Sequence, residues 1–165
     1  MRKLFMFAAV LLAILATAPA MTHAIAVRTE ITGTFTMSVT SIGDINVTKN
    51  GIMHQTNAEA SGPLTSTELS GQIQIVLNAV FNLNTGEGIA FGTFTITNDD
   101  GAFAGVFRVH DTQYVHFTGT LEARGTGLYA GMILKLKMTG TDLYRGGYTG
   151  ADGLSATFEG YTISP

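Results

Sequence analysis

The chain has no cysteine and no tryptophan, only three prolines among 165 residues, and charged side chains at just 13% of positions. Without cysteine no disulfide can staple the fold, so a packed core and backbone hydrogen bonds must hold it together. Low charge combined with 45% hydrophobic residues excludes intrinsic disorder, which requires high charge and few apolar groups. Nine Lys and Arg against twelve Asp and Glu leave the formal net charge at −3, and no basic cluster is present. Nucleic acid is therefore not an expected partner, because phosphate binding depends on grouped cations. Helical spacing of apolar residues is sustained nowhere beyond the first two dozen positions.

Those first positions read as a signal peptide. Arg2 and Lys3 precede an unbroken apolar run from Leu4 to Ala16, and Thr22-His23-Ala24 ends in the small-residue pattern of a cleavage site. The run is too short for a transmembrane helix, which needs roughly 20 apolar residues, and Pro19 follows soon after it. The expected organisation is a signal peptide over 1–24 and one domain over 25–165, with a secreted or periplasmic location. No stable membrane insertion of the mature chain is expected.

The remainder alternates with a period of two, as half-buried strands do. Val27, Ile31, Phe35, Met37 and Val39 share one face, with Arg28, Glu30, Thr32, Thr34 and Thr36 on the other. Ile73, Ile75, Leu77, Ala79, Phe81 and Leu83 repeat the pattern, as do Val115, Phe117, Leu121 and Ala123. Leu128, Ala130, Met132, Leu134, Leu136 and Met138 form the longest such run. Turn residues separate the runs at Asn50-Gly51, Asn84-Thr85-Gly86, Asn98-Asp99-Asp100-Gly101 and Arg124-Gly125-Thr126-Gly127, where Gly and Asn supply the backbone angles of tight hairpins. The pattern predicts strands near 26–40, 44–49, 52–60, 71–83, 88–97, 102–110, 113–124 and 127–144, and a closing strand at 154–163. Residues 56–70 are polar and irregular and are read as a loop over one end of the sheet. Gly92-Thr93-Phe94 followed by Phe103-Ala104-Gly105 recurs as Gly119-Thr120-Leu121 followed by Tyr129-Ala130-Gly131, two copies of one hairpin. Consecutive hairpins in a poorly charged sheet favour closure, since closure removes the exposed edges. The expected fold is all-β, a single antiparallel up-and-down barrel of about eight strands.

Gly125-Thr126-Gly127-Leu128-Tyr129-Ala130-Gly131 resembles the Gly-Thr-Gly-x-aromatic-x-Gly hairpin of the allene oxide cyclase and dirigent barrel superfamily, and 98–105 resembles a degenerate second copy. The likeness extends over 88–163. It implies an eight-stranded antiparallel barrel, often with an apolar cavity for a small hydrophobic molecule. No counterpart of the cyclase's catalytic positions can be mapped, so no catalytic residue is assigned.

Candidate chemistry is sparse. His110 and His116 flank Asp111-Thr112-Gln113, and a short hairpin there would leave both on the polar face; solvated histidines fit better than a metal site, which would need tight ligand spacing. His54 stands alone and is read as a partly buried strand residue. The run 146–153 lacks the tandem spacing of a calcium-binding turn and reads as a hairpin loop. Gly-x-Gly-x-x-x-Gly at Gly125 and Gly86 is not a dinucleotide fingerprint, and neither a cofactor nor a metal is expected. The apolar faces suggest a greasy interior instead, with Phe35, Ile75, Leu77, Phe91, Phe107, Phe117 and Leu134 as expected cavity-lining residues. Three roles stay open on these grounds: a binder of a small hydrophobic ligand or envelope accessory protein, an isomerase or cyclase of the resembled superfamily, and a small outer-membrane barrel.

Overall fold

A computed structural model describes residues 26–112, 116–143 and 153–165. The expected signal peptide lies outside the described residues, as does nearly all of the 146–153 run. Nine strands follow one another: β1 (Val27–Ser41), β2 (Asp44–Val47), β3 (Ile52–Ser66), β4 (Gly71–Asn82), β5 (Glu87–Asn98), β6 (Gly101–Thr112), β7 (His116–Gly127), β8 (Ile133–Leu143) and β9 (Gly153–Ser164). From β3 to β9 each strand pairs antiparallel with its successor, β9 pairs with β1, and β1 closes the circuit on β3. The result is an eight-stranded antiparallel barrel, as the alternation predicts, with β2 as a ninth strand laid on the free edge of β3.

Side chains sort by parity. Ile31, Phe35 and Met37 of β1, Phe103, Phe107 and Val109 of β6, and Leu134, Leu136 and Met138 of β8 are buried inside, while the charged groups of the same strands, such as Arg28, Arg108 and Lys137, stand outside. The orientation follows from transfer free energy, because each large apolar side chain withdrawn from water contributes about 1.5–3 kcal/mol. The inner face also alternates in size between neighbouring strands. Cross-strand partners pair Phe107 with Gly92, Phe94 with Gly105, Phe103 with Gly125, Phe117 with Gly140, Phe158 with Gly33 and Phe81 with Gly88. A ring placed opposite a glycine fills the space that the missing side chain leaves. The glycines cannot be enlarged in place: a Cβ on Gly105 would fall 1.9 Å from the Glu122 carbonyl oxygen.

Two expectations need correction. Residues 56–70 are not mainly a loop, because β3 runs on to Ser66 and presents Ala58, Ala60 and Leu64 to the core. Small side chains and Pro63 hid that alternation; the β1 ladder accommodates the proline by passing from the Phe35–Leu64 pair to the Ser38–Ser61 pair. Nor does a strand begin at residue 127. Gly127 and Gly131 have φ of 66° and 86°, and the amides of Tyr129, Ala130 and Met132 donate to the carbonyls of Thr126, Gly127 and Tyr129. The backbone therefore turns over 128–131, which leaves Leu128 79% exposed, and β8 starts at Ile133.

One end of the barrel is packed shut. Ile31, Leu64, Ile73, Phe94, Ile96, Phe103 and Leu134 are fully buried there, and Tyr129 stacks on Phe103 with ring centroids 4.8 Å apart. Asn98 fastens the turns above them. Its amide nitrogen donates to the Ser70 carbonyl at 3.2 Å and to the Tyr129 hydroxyl at 2.7 Å, while its oxygen accepts from the amides of Asp100 and Gly101.

Candidate functional site: an apolar cavity at the open end

At the other end small inner side chains leave space unfilled. Ala58, Ala60, Ala79 and Ala90 occupy inward positions where the closed end carries Phe and Leu. Here β3 is interrupted by a bulge between Gln55 and Ala58, where Asn57 takes a φ of 56° and its amide donates to Asn78 Oδ1 at 3.2 Å. The extra residue reverses the parity of the strand, so that Met53 and Gln55 face inward before the bulge and Ala58 and Ala60 after it. The β1–β3 ladder shifts close by, and the first part of β3 pairs with β2 instead. Gln55 Nε2 donates to the Ile42 carbonyl at 2.8 Å and so holds the β1–β2 connection across this part of the mouth.

The outcome is a cavity of about 460 Å³. Its depth is Phe35, Ile73, Ile75, Phe107 and Leu121; Val39, Ile42, Ile45, Phe81 and Leu83 lead out to the rim. Ile42 and Ile45 remain 50% and 38% exposed. That volume falls within the range of roughly 300–1,000 Å³ usual for small-molecule sites. Two polar side chains face it, Gln55 and Asp111; Glu59, exposed between the inward Ala58 and Ala60, borders it from the outward side of β3.

Five of the residues expected from the sequence, Phe35, Ile75, Leu77, Phe107 and Phe117, are brought together on this lining. Leu134 points inward but belongs to the packed end, fully buried and away from the cavity. Phe91 is on the outer surface, 42% exposed between Asn78 and Arg108, because Ala90, Gly92 and Phe94 hold the inner parity of β5. Each inner phenylalanine has a glycine or apolar partner on at least one neighbouring strand, and Phe91 has none.

Asp111 is the residue that sequence reasoning missed. Read as part of a turn, it is in fact the last inward position of β6, in line with Phe103, Gly105, Phe107 and Val109, and is only 5% exposed. Its register partners are Gly88 on β5 and Phe117 on β7. The signal was present, since carrying the β6 alternation one step past Val109 reaches it. His110 and His116 are exposed on the outer face, directed away from Asp111, opposite Thr118 and Thr112 respectively. His54 is exposed rather than partly buried, because the bulge gives the inward parity to its neighbours Met53 and Gln55. Among the described residues no three His, Asp or Glu side chains gather as a metal-ligand set.

Compared with known proteins, the chain matches no family model, no curated protein and no solved structure.

Proposed function

We propose that this protein is exported, loses residues 1–24, and binds a small hydrophobic molecule in the open end of its barrel. The observation that carries the reading is the contrast between the two ends: one is packed to exclusion of solvent, the other keeps an apolar space of about 460 Å³ with rim residues in contact with water. A chain that needed only stability would gain by filling that space, since voids cost the dispersion contacts of their lining. Among the described lining residues there is no hydroxyl, thiol, imidazole or amine, which supports binding over nucleophilic chemistry. Kinship with the allene oxide cyclase and dirigent barrels is part of the proposal, and an eight-stranded barrel with an apolar cavity is compatible with it. The outer surface supports an aqueous setting: Arg28, Glu30, Arg108, Glu122, Lys135, Lys137 and Glu159 project from it, whereas a lipid-embedded barrel carries an apolar outer band.

Diphenylhexatriene, a neutral fluorophore that brightens in apolar surroundings, tests the reading. The mature chain is expected to enhance its emission saturably, and Ala79→Trp, which places an indole into the cavity from a buried position on β4, is expected to abolish the enhancement while leaving the β-sheet circular dichroism intact. Because the chain has no other tryptophan, a blue-shifted emission will show the indole seated inside. Equal enhancement by both proteins would overturn the proposal.

A further inference from the structure

The outer wall of the barrel is uneven in polarity. On β7, β8 and β9 it carries Glu122, Arg124, Lys135, Lys137 and Glu159, but the outward positions of β4 from 72 to 80 and of β5 from 89 to 97 are all uncharged. Val76, Phe91 and Val106 surround Thr93 at the centre of this face and are 40%, 42% and 60% exposed. Val80 and Ile89, partners in register, extend the patch toward the open end. Contiguous apolar surface of this kind marks an interaction site, and an aromatic side chain within it is the residue type that anchors contacts. Charge borders the face on its two flanks, with opposite sign. Glu59 on β3 is the register partner of Val76, and Arg108 on β6 is that of Phe91; both are exposed, and among the described residues neither has an ion-pair partner.

We infer that this face docks on the same face of a second copy of the chain, about a two-fold axis that runs parallel to the strands between β4 and β5. Such an axis lays β4 over the partner's β5 and β3 over the partner's β6. The uncharged strands then meet at the centre, with Phe91 beside the partner's Val76 and the partner's Asn78. At the flanks Glu59 comes to the partner's Arg108 and Arg108 to the partner's Glu59, offset by one row of side chains, so the contact is self-complementary as an isologous interface must be. A two-fold axis across the strands would instead set Glu59 toward its own copy in the partner, and like charges oppose that arrangement. Four strands and five rows of outward side chains make a footprint of roughly 14 by 27 Å. Two convex walls bury less than a flat contact of that size, which sets the interface at the small end and the association in the micromolar range. The inference is independent of the cavity, which opens at the end of the barrel and not through this wall.

Sedimentation velocity of the full mature chain, from about 5 to about 300 µM, is expected to show a monomer–dimer equilibrium. Phe91→Ser, an outward substitution that leaves the core intact, should weaken dimerisation at least tenfold with unchanged sheet dichroism. Glu59→Arg and Arg108→Glu each place like charges together at both flanks, so each alone should also weaken it by about tenfold or more. Mixed in equal amounts, these two variants should associate within about threefold of the unaltered chain, because each then meets the opposite charge on the other. Should Phe91→Ser fail to fold, the two charge variants and their mixture still decide the matter. An unaltered chain that stays monomeric throughout, a dimer indifferent to Phe91→Ser, or a mixture that associates no better than its components would overturn the inference. A monomeric chain that floats with phosphatidylcholine vesicles, and ceases to in Phe91→Ser, would overturn it too and assign the face to a bilayer.

Discussion

Asn98 makes four hydrogen bonds at the packed end, two as donor and two as acceptor, and they reach three separate turns. A hydrogen bond of this kind contributes about 1 kcal/mol net, and a buried partner left unsatisfied costs more. Asn98→Ala is therefore expected to lower stability by on the order of 3 kcal/mol, read as a fall in the urea midpoint at constant slope. Asn98→Asp keeps the acceptor for Asp100 and Gly101 but loses the donor to Ser70 and Tyr129, so it should fall between. Tyr129→Phe removes the 2.7 Å bond and spares the stack on Phe103; about 1 kcal/mol is expected. The turn role of Asn98 can be read directly from Asn-Asp-Asp-Gly, since Asn side chains cap their own turns. Its reach to Tyr129 cannot, because it depends on two hairpins meeting in space. Asp111 was hidden for a different reason: a charged residue beside histidines suggests solvent, and only strand parity places it indoors.

At the scale of elements, β2 is separable from the barrel. It pairs with β3 alone, its four residues are exposed, and the eight-stranded circuit closes without it. Ile45→Pro, which removes the rim isoleucine at a position whose amide faces the free edge of β2, is expected to shift the thermal midpoint by only a few degrees while weakening diphenylhexatriene binding severalfold. A collapse of the sheet dichroism would show that β2 is integral instead. The strands themselves were largely legible. Long β-branched and aromatic runs with period two marked β1, β4 and β7, and Gly, Asn and Asp marked several of the hairpins. Parity failed where its carriers were small, as at Ala58, Ala60 and Gly62 of β3, and where it ran on by coincidence, as at Leu128 and Ala130 before β8. The bulge at Asn57 left no mark in the sequence, because it reverses parity in a stretch whose residues are of mixed character. Cavity and packed core were likewise indistinguishable beforehand, since both are written with the same apolar letters and differ only in the volume left between them.

For the molecule as a whole, the proposal of an aqueous setting rests on a polar outside and an apolar inside. The mature chain, expressed without residues 1–24, should stay monodisperse by light scattering in buffer free of detergent; a requirement for detergent would reverse the assignment of its surroundings. Expressed with those residues in an export-competent bacterium, it should be recovered with Ile25 at its N-terminus, as intact-mass spectrometry will read. A meander of long strands also faces a hazard of its own, misregistry, because a two-residue slip preserves every inward and outward assignment. The Phe and Gly partners remove that freedom. Sliding β6 by two residues along β5 would set Phe94 against Phe103 in one direction, leaving Gly92 facing Gly105 across a gap, and would set Phe94 against Phe107 in the other. Steric proofreading of this kind discriminates between hairpins that hydrophobicity alone would treat as equivalent, so the correct alignment is enforced as the strands zip together.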